Sequence, residues 1–238
     1  MKIKLRVLSR YGNIIDNFAS ERLDGAFFGS FTYTIAHAKL HVHVLARPQL
    51  SNGESTYYGL LFVRKDSRIH TAAAMKGKVF AFVDKATTAG YLLPLVYFKK
   101  HGIEDYKTYF RETYFAGTHE DVIYDVLNKK ADVGAAKSTV YKRLAETDSR
   151  IIRELSILDR SPDVPENGLA VAKDLDEPLK KKLQQALLTM DRDPEGREAL
   201  KKIGAQRFIE TSDQDYHPVY RYARETSLNL ATYDYMNE

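Results

Sequence analysis

Residues 82–94 read FVDKATTAGYLLP, and their reading decides the class of fold. The run VFAFVD has the length and the aromatic and β-branched content of a buried strand. Thr87-Thr88-Ala89-Gly90 follows it, and the pattern then changes to AGYLLPLVYFKKHG, whose apolar residues recur at helical spacing. A strand that passes through so short a turn into a helix leaves the first helical N–H groups, and the positive end of the helix dipole, at its carboxyl end. That is the outline of an anion site. Two hydroxyls beside those N–H groups add donors without charge, and Gly90 would let backbone approach a ligand closely. The simpler alternative is that Thr87 or Thr88 is only a helix N-cap.

Outward from this unit the alternation continues. Strands are expected at IKLRVL, DGAFFG, HVHVLAR, YGLLFVRK, VFAFVD, YFAG, ADVGAA and GLAVAK. Helices are expected at IIDNFASER, SFTYTIAHAK, AGYLLPLVYFKKHG, HEDVIYDVLNKK, STVYKRLAET, EPLKKKLQQALLTM and PEGREALKKIG. Asp193 and Pro194 start one helix and Gly204 stops it; Gly102 stops another after Lys99, Lys100 and His101. This order predicts an α/β fold built on mostly parallel sheets. Residues 57–69, YYGLLFVRKDSRI, resemble residues 167–179, NGLAVAKDLDEPL, as two similar lobes would. The expected division is 1–78 with about 205–238 as the first lobe and 79–204 as the second.

Bulk properties narrow the function. The 238 residues carry a net charge of only +4, spread along the chain, so nucleic acid is not an expected partner. Lys180, Lys181 and Lys182 fall on the polar flank of a helix whose apolar face is Leu179, Leu183, Leu187 and Met190. There is no cysteine, which excludes disulfides and thiolate metal sites. No run approaches the roughly 18 apolar residues of a membrane span, and the first twenty positions lack a signal-peptide core. VGAAKST lacks P-loop glycines at Ala131 and Ala136, HEDVI lacks a second histidine at Ile123, and no Gly-x-Ser-x-Gly elbow occurs. His37, His41 and His43 cluster without an acid to complete a metal set. No catalytic residue, metal or cofactor is therefore expected.

Two further turns repeat the chemistry of the first. Gly29-Ser30-Phe31-Thr32-Tyr33 follows DGAFF and opens a helix; Gly117-Thr118-His119-Glu120 follows YFA and opens another, with His119 in its first turn. Turns of this kind in a two-lobed α/β protein face one cleft. The inference is a small oxyanion held by helix N-termini, hydroxyls and one histidine.

KGKVFAFVDKATTAGYLLP, YFAGTHEDVIYDVLNKKADVGAA and DPEGREALKKIGAQRFIETSDQDYHPV together resemble the phosphate/phosphonate/phosphite class of periplasmic solute-binding proteins of ABC importers. The resemblance runs from RYGNIIDNFASERLDGAFFGSFTY to the C-terminal helix. It implies a type II periplasmic-binding fold: two α/β lobes, a hinge of crossing strands, and a ligand trapped on closure. The family's Ser-Thr-Ser-Gly turn falls on Thr87, Thr88, Ala89 and Gly90, its pocket histidine on His119, and its tyrosines on Tyr11 and on Tyr57 with Tyr58 beside it. Ser30 and Thr118 join this set from the two repeated turns.

Three departures qualify what the resemblance implies. Ala89 replaces a serine, Lys85 replaces a proline and is expected to face solvent, and the family's first βα unit, about 30 residues, is missing. Loss of a central strand would expose ladder edges, so a homodimer or strand exchange is expected to cover them. Implied partners are a small oxyanion and a membrane permease, and the implied location is periplasmic. A ligand-sensing domain of a signalling protein and a cofactor-biosynthesis enzyme are the alternatives. An amino group on the ligand would want a carboxylate, for which Asp84, Glu120 and Glu166 are candidates, and Lys137 is expected near the cleft.

Overall fold

The computed structural model describes residues 3–7, 11 and 13–237. Its strands are β1 (Gly25–Phe28), β2 (His43–Leu50), β3 (Thr56–Tyr57), β4 (Gly59–Arg64), β5 (Val79–Phe82), β6 (Glu112–Phe115), β7 (Val133–Lys137), β8 (Leu155–Arg160), β9 (Val164–Pro165), β10 (Gly168–Val171) and β11 (Ala205–Glu210). Its helices are α1 (Asn13–Ser20), α2 (Ser30–Leu40), α3 (Leu93–Lys100), α4 (Tyr106–Tyr109), α5 (His119–Leu127), α6 (Ser138–Thr147), α7 (Arg150–Glu154), α8 (Glu177–Leu188), α9 (Pro194–Lys202) and α10 (His217–Glu225). A π-helical turn, Thr88–Leu92, runs directly into α3. Among the described residues no helix is long and apolar enough to cross a membrane.

One sheet has the order β1-β10-β2-β11 and the other β6-β5-β7-β4-β8. In the second sheet the apolar runs are buried on both faces, which is why they read as continuous rather than alternating. Leu60, Phe62, Val79 and Ala81 pack with Val122 and Val126 of α5 on one face. Leu61, Val63, Phe80 and Phe82 pack with Phe98 and Phe110 on the other. A third apolar cluster joins α2 and α10 to the π-turn and α3 through Phe31, Tyr222, Leu92 and Val96. The element after the quoted strand therefore lies against both sheet units.

The chain passes between the sheets at β3 and β9, which pair antiparallel through Thr56 with Pro165 and Tyr57 with Val164. The two similar passages noted in the sequence each begin at one of these crossings. Their strands fall in different sheets: β4 pairs with β7 and β8, whereas β10 pairs with β1 and β2. The strands thus change sheet near 57/58 and again near 163/164. The run 59–64 joins the sheet built from residues 65–163, and 164–204 returns to the first sheet.

Two expectations are corrected. The α/β class holds, but only β5 with β6 and β5 with β7 are parallel among the described pairings, and the rest are antiparallel. Strand spacing and helix alternation carry no information about the direction of strands that meet through the crossings. Of the expected strand IKLRVL, residues 3–7 have no regular structure, and Ile3, Leu5 and Val7 are 71%, 89% and 86% exposed. Its last residue, Leu8, lies outside the described residues. Alternation of apolar and basic residues there finds no partner strand among the described residues.

Gly134 shows how closely α5 rests on β7: a Cβ there would come within 2.7 Å of Val122 and 2.8 Å of Val126. Gly134→Val is expected to destabilise the fold by about 1–3 kcal/mol through overpacking. Urea denaturation measures this, and wild-type stability would rule out that contact.

Candidate functional site

Helix α2 begins without a side-chain cap, because its N-cap residue is Gly29. Its first backbone N–H groups need acceptors from elsewhere. Thr88 supplies one: its Oγ1 accepts the Phe31 N–H at 2.9 Å and lies 2.9 Å from Ser30 Oγ. Thr32 adds a third tie by donating to the Ala86 carbonyl at 2.8 Å. The Ser30 hydroxyl also meets the Tyr57 hydroxyl at 2.8 Å. Ser30, Tyr57 and Thr88, from three separate elements, therefore form one buried chain of hydroxyls.

The π-turn places Thr88. Leu92 N–H reaches back to the Thr87 carbonyl and Leu93 N–H to the Thr88 carbonyl, a five-residue spacing that widens the first turn. Such bulges recur at functional positions. Gly90 sits where this turn presses on the end of the strand, and a Cβ there would lie 2.4 Å from Val83. Close packing against Val83 therefore excludes a side chain at this position.

His119 opens α5 and is buried. Its Nδ1 accepts the Lys137 backbone N–H at 3.2 Å, which leaves Nε2 to carry the proton of the neutral ring. Burial, reinforced by the positive charge of Lys137, lowers its pKa from 6.5 to about 3. The imidazole is thus an uncharged N–H donor at neutral pH. Tyr11 packs edge-on to it with ring centroids 6.1 Å apart. Burial raises the pKa of Tyr57 and, with the charge of Asp84 adding, that of Tyr11, so both phenols stay protonated.

Lys137 ends β7, and its ammonium meets Glu166 Oε2 at 2.5 Å while lying 4.2 Å from the centre of the Tyr57 ring. Glu166 follows β9 and is buried. The arrangement can hold a small anion with neutral O–H and N–H donors from both sheet units, beside a charge-balanced pair.

A family profile described as "ABC transporter, phosphonate, periplasmic substrate-binding protein" matches residues 1–216. The chain belongs to this family. The phosphonates-binding periplasmic protein of Escherichia coli (strain K12) is 28% identical over 218 residues, 90% of this chain and 64% of that protein. A binding-protein component of an ABC phosphonate transporter from Pseudomonas aeruginosa superposes with a TM-score of 0.83 at 25% identity, over 92% of this chain and 74% of the other. A Prochlorococcus marinus protein solved with methylphosphonate superposes at 0.79 with 19% identity, over 92% and 84%. The fold is that of type II periplasmic binding proteins.

Within this phosphonate-binding-family chain the residues singled out in the sequence separate into two groups. Tyr57, Thr88 and Ser30 are bonded together, and His119 and Tyr11 are joined to them through Lys137 and ring contact. Thr87 is buried next to them, but its hydroxyl donates to the Asp84 carbonyl at 2.7 Å, and it makes no cap bond. Ala89 is part of the apolar core.

The second group makes other contacts. Thr118 is exposed and is an N-cap: its oxygen accepts the Asp121 N–H at 3.0 Å and its proton goes to Asp121 Oδ2 at 2.6 Å. The Tyr58 ring is covered by the Arg160 guanidinium at 3.6 Å, on the other face from Tyr57, as alternation along an extended segment requires. Asp84 bonds Ala86 N and Asn237 Nδ2, and exposed Glu120 pairs with Arg143. Lys85 is buried rather than solvent-facing, with its carbonyl accepting from Tyr233. Thr118 and Lys85 border a separate surface cavity of about 670 Å³. The sequence offers Glu166 and Lys137 separately as candidates near the cleft, but their pairing with each other has no signal in it.

The His119 shift fixes a pH dependence. Between about pH 6.5 and the folded value near 3 the unfolded chain binds a proton that the folded one does not, so stability falls as pH falls, by up to about 1.4 kcal/mol per unit. Melting temperature should therefore drop more steeply from neutral to acid pH in the wild type than in His119→Gln. Parallel profiles would contradict the neutral buried ring.

Proposed function

We propose that this chain captures a small phosphorus oxyanion between its two sheet units and delivers it to the membrane permease of an ABC importer in the periplasm. A phosphonate is the first choice of ligand, with phosphite and phosphate as chemically related ones. The observation that carries this reading is the meeting of the Ser30, Tyr57 and Thr88 hydroxyls at the start of α2, where Thr88 stands in for the missing N-cap side chain, beside a neutral His119. Hydroxyl protons rotate, so groups that satisfy one another here can turn toward an oxyanion. Neutral donors in a buried site bind such an ion without a second buried charge, and α2 and α5 both present their positive ends. The names of the Escherichia coli and Prochlorococcus marinus relatives, which refer to phosphonates, support the same chemistry. Binding followed by release needs no activated nucleophile, and the one hydroxyl next to His119 in sequence, Thr118, is committed to its cap.

Calorimetry against methylphosphonate, phosphite and phosphate tests this. At least one should bind, and Thr88→Ala should weaken it by about 1.5–3 kcal/mol, roughly ten- to a hundredfold, as expected for a hydrogen bond to a charged group. No heat from the folded wild-type protein with any of them, or an unchanged affinity in the variant, would defeat the proposal.

A further inference from the structure

Among the described residues the buried acids are Asp84 and Glu166. Asp84 is spent on its own loop and on Asn237: Oδ1 accepts the Ala86 N–H at 2.8 Å and Oδ2 accepts from Asn237 Nδ2 at 2.9 Å. Glu166 is the one that reaches the hydroxyl cluster, and there it meets the chain's own ammonium, Lys137 Nζ, at 2.5 Å. The side chains of this pair are only 14% and 7% exposed. Its placement is fixed on both sides. Lys137 is held by the β4–β7 ladder opposite Gly59 and by its N–H to His119, and its Nζ sits over the Tyr57 ring at 4.2 Å. Glu166 is held by its N–H to the Ser55 carbonyl, by Asn167 N–H to its Oε2 at 3.3 Å, and by Tyr216 donating to its carbonyl.

A cationic ligand group entering this corner would find the carboxylate already paired and a like charge beside it. Moving an ammonium out of water without a free counter-ion is costly, and ion pairs in such surroundings are sensitive to loss of one partner. A small uncharged substituent meets no such penalty, since it faces a balanced pair rather than a lone charge.

We propose that Lys137 sets the substrate class: by occupying Glu166 over the Tyr57 ring, it makes the site select phosphorus oxyanions with an uncharged substituent and reject those bearing an ammonium. This rests on the oxyanion-binding reading above and specifies it. Lys137 is then a specificity-determining residue, and its removal should reverse the preference, because Glu166 would be left free to accept an ammonium.

Ethylphosphonate and 2-aminoethylphosphonate, of nearly equal size, are the probes, with dissociation constants measured by calorimetry at neutral pH. The wild type should bind ethylphosphonate at least about tenfold tighter. Lys137→Gln should lower that ratio by at least about tenfold, and Lys137→Gln with Glu166→Gln should restore it toward wild type. If the single variant does not fold, the wild-type ratio still decides. Equal or tighter binding of 2-aminoethylphosphonate by the wild type, or a ratio unmoved by Lys137→Gln, overturns the inference alone. Tighter binding of phosphonoacetate than of ethylphosphonate also overturns it, by showing Lys137 engaged with ligand rather than with Glu166. Binding of none of these ligands overturns it together with the oxyanion reading.

Discussion

Helix α2 starts on a glycine and so cannot cap itself; the Thr88 hydroxyl from the π-turn caps it instead, at 2.9 Å from the Phe31 N–H. Much else in the molecule depends on this. An unmet N–H in a buried position costs as much as a lost hydrogen bond, so the π-turn must sit where it does. Gly90 allows that position by giving up a side chain against Val83, and Leu92 and Val96 then bury themselves with α2 and α10. The Ser30 hydroxyl, one residue before Phe31, is brought to Thr88 by the same docking and passes the contact on to Tyr57. Packing between the two sheet units and assembly of the polar cluster are thus one event.

What the sequence disclosed was mostly local. The Thr-Thr-Ala-Gly turn, the helix after it, His119 in a first turn and the Asp193 cap all lie within a few residues of their own signals, and each stands where the sequence puts it. What stayed hidden was long-range or depended on strand parity. Tyr57 and Tyr58 are indistinguishable by composition, yet one enters the cluster and the other lies under Arg160. β8 and β11 carry a weak strand signal because LSILDR and AQRFIE mix exposed charged residues with a few buried apolar ones, Leu155, Ala205 and Phe208, as expected of strands with a wet face. Glu166 and Lys137 are 29 positions apart, and nothing near either residue announces the other. Thr118 is the N-cap of α5, and Thr-x-x-Asp before an apolar run is a capping signal in its own right.

Charge is handled the same way throughout the cluster: it is either absent or cancelled. His119 is kept neutral by burial, Tyr57 and Tyr11 are kept protonated, and the buried ammonium is matched by a carboxylate. A buried ion pair adds little net stability compared with an apolar pair of the same shape, so the selective role proposed for Lys137 does not compete with a large stabilising one.

The same cancellation has a kinetic meaning. A mouth lined with unpaired lysines would draw anions from a distance, and salt would slow that capture by screening the field within about 8–10 Å. Donors such as the Ser30, Tyr57 and Thr88 hydroxyls act only at contact. On the proposed reading, an encounter governed by them alone would proceed at nearly the same rate in dilute and in saline surroundings.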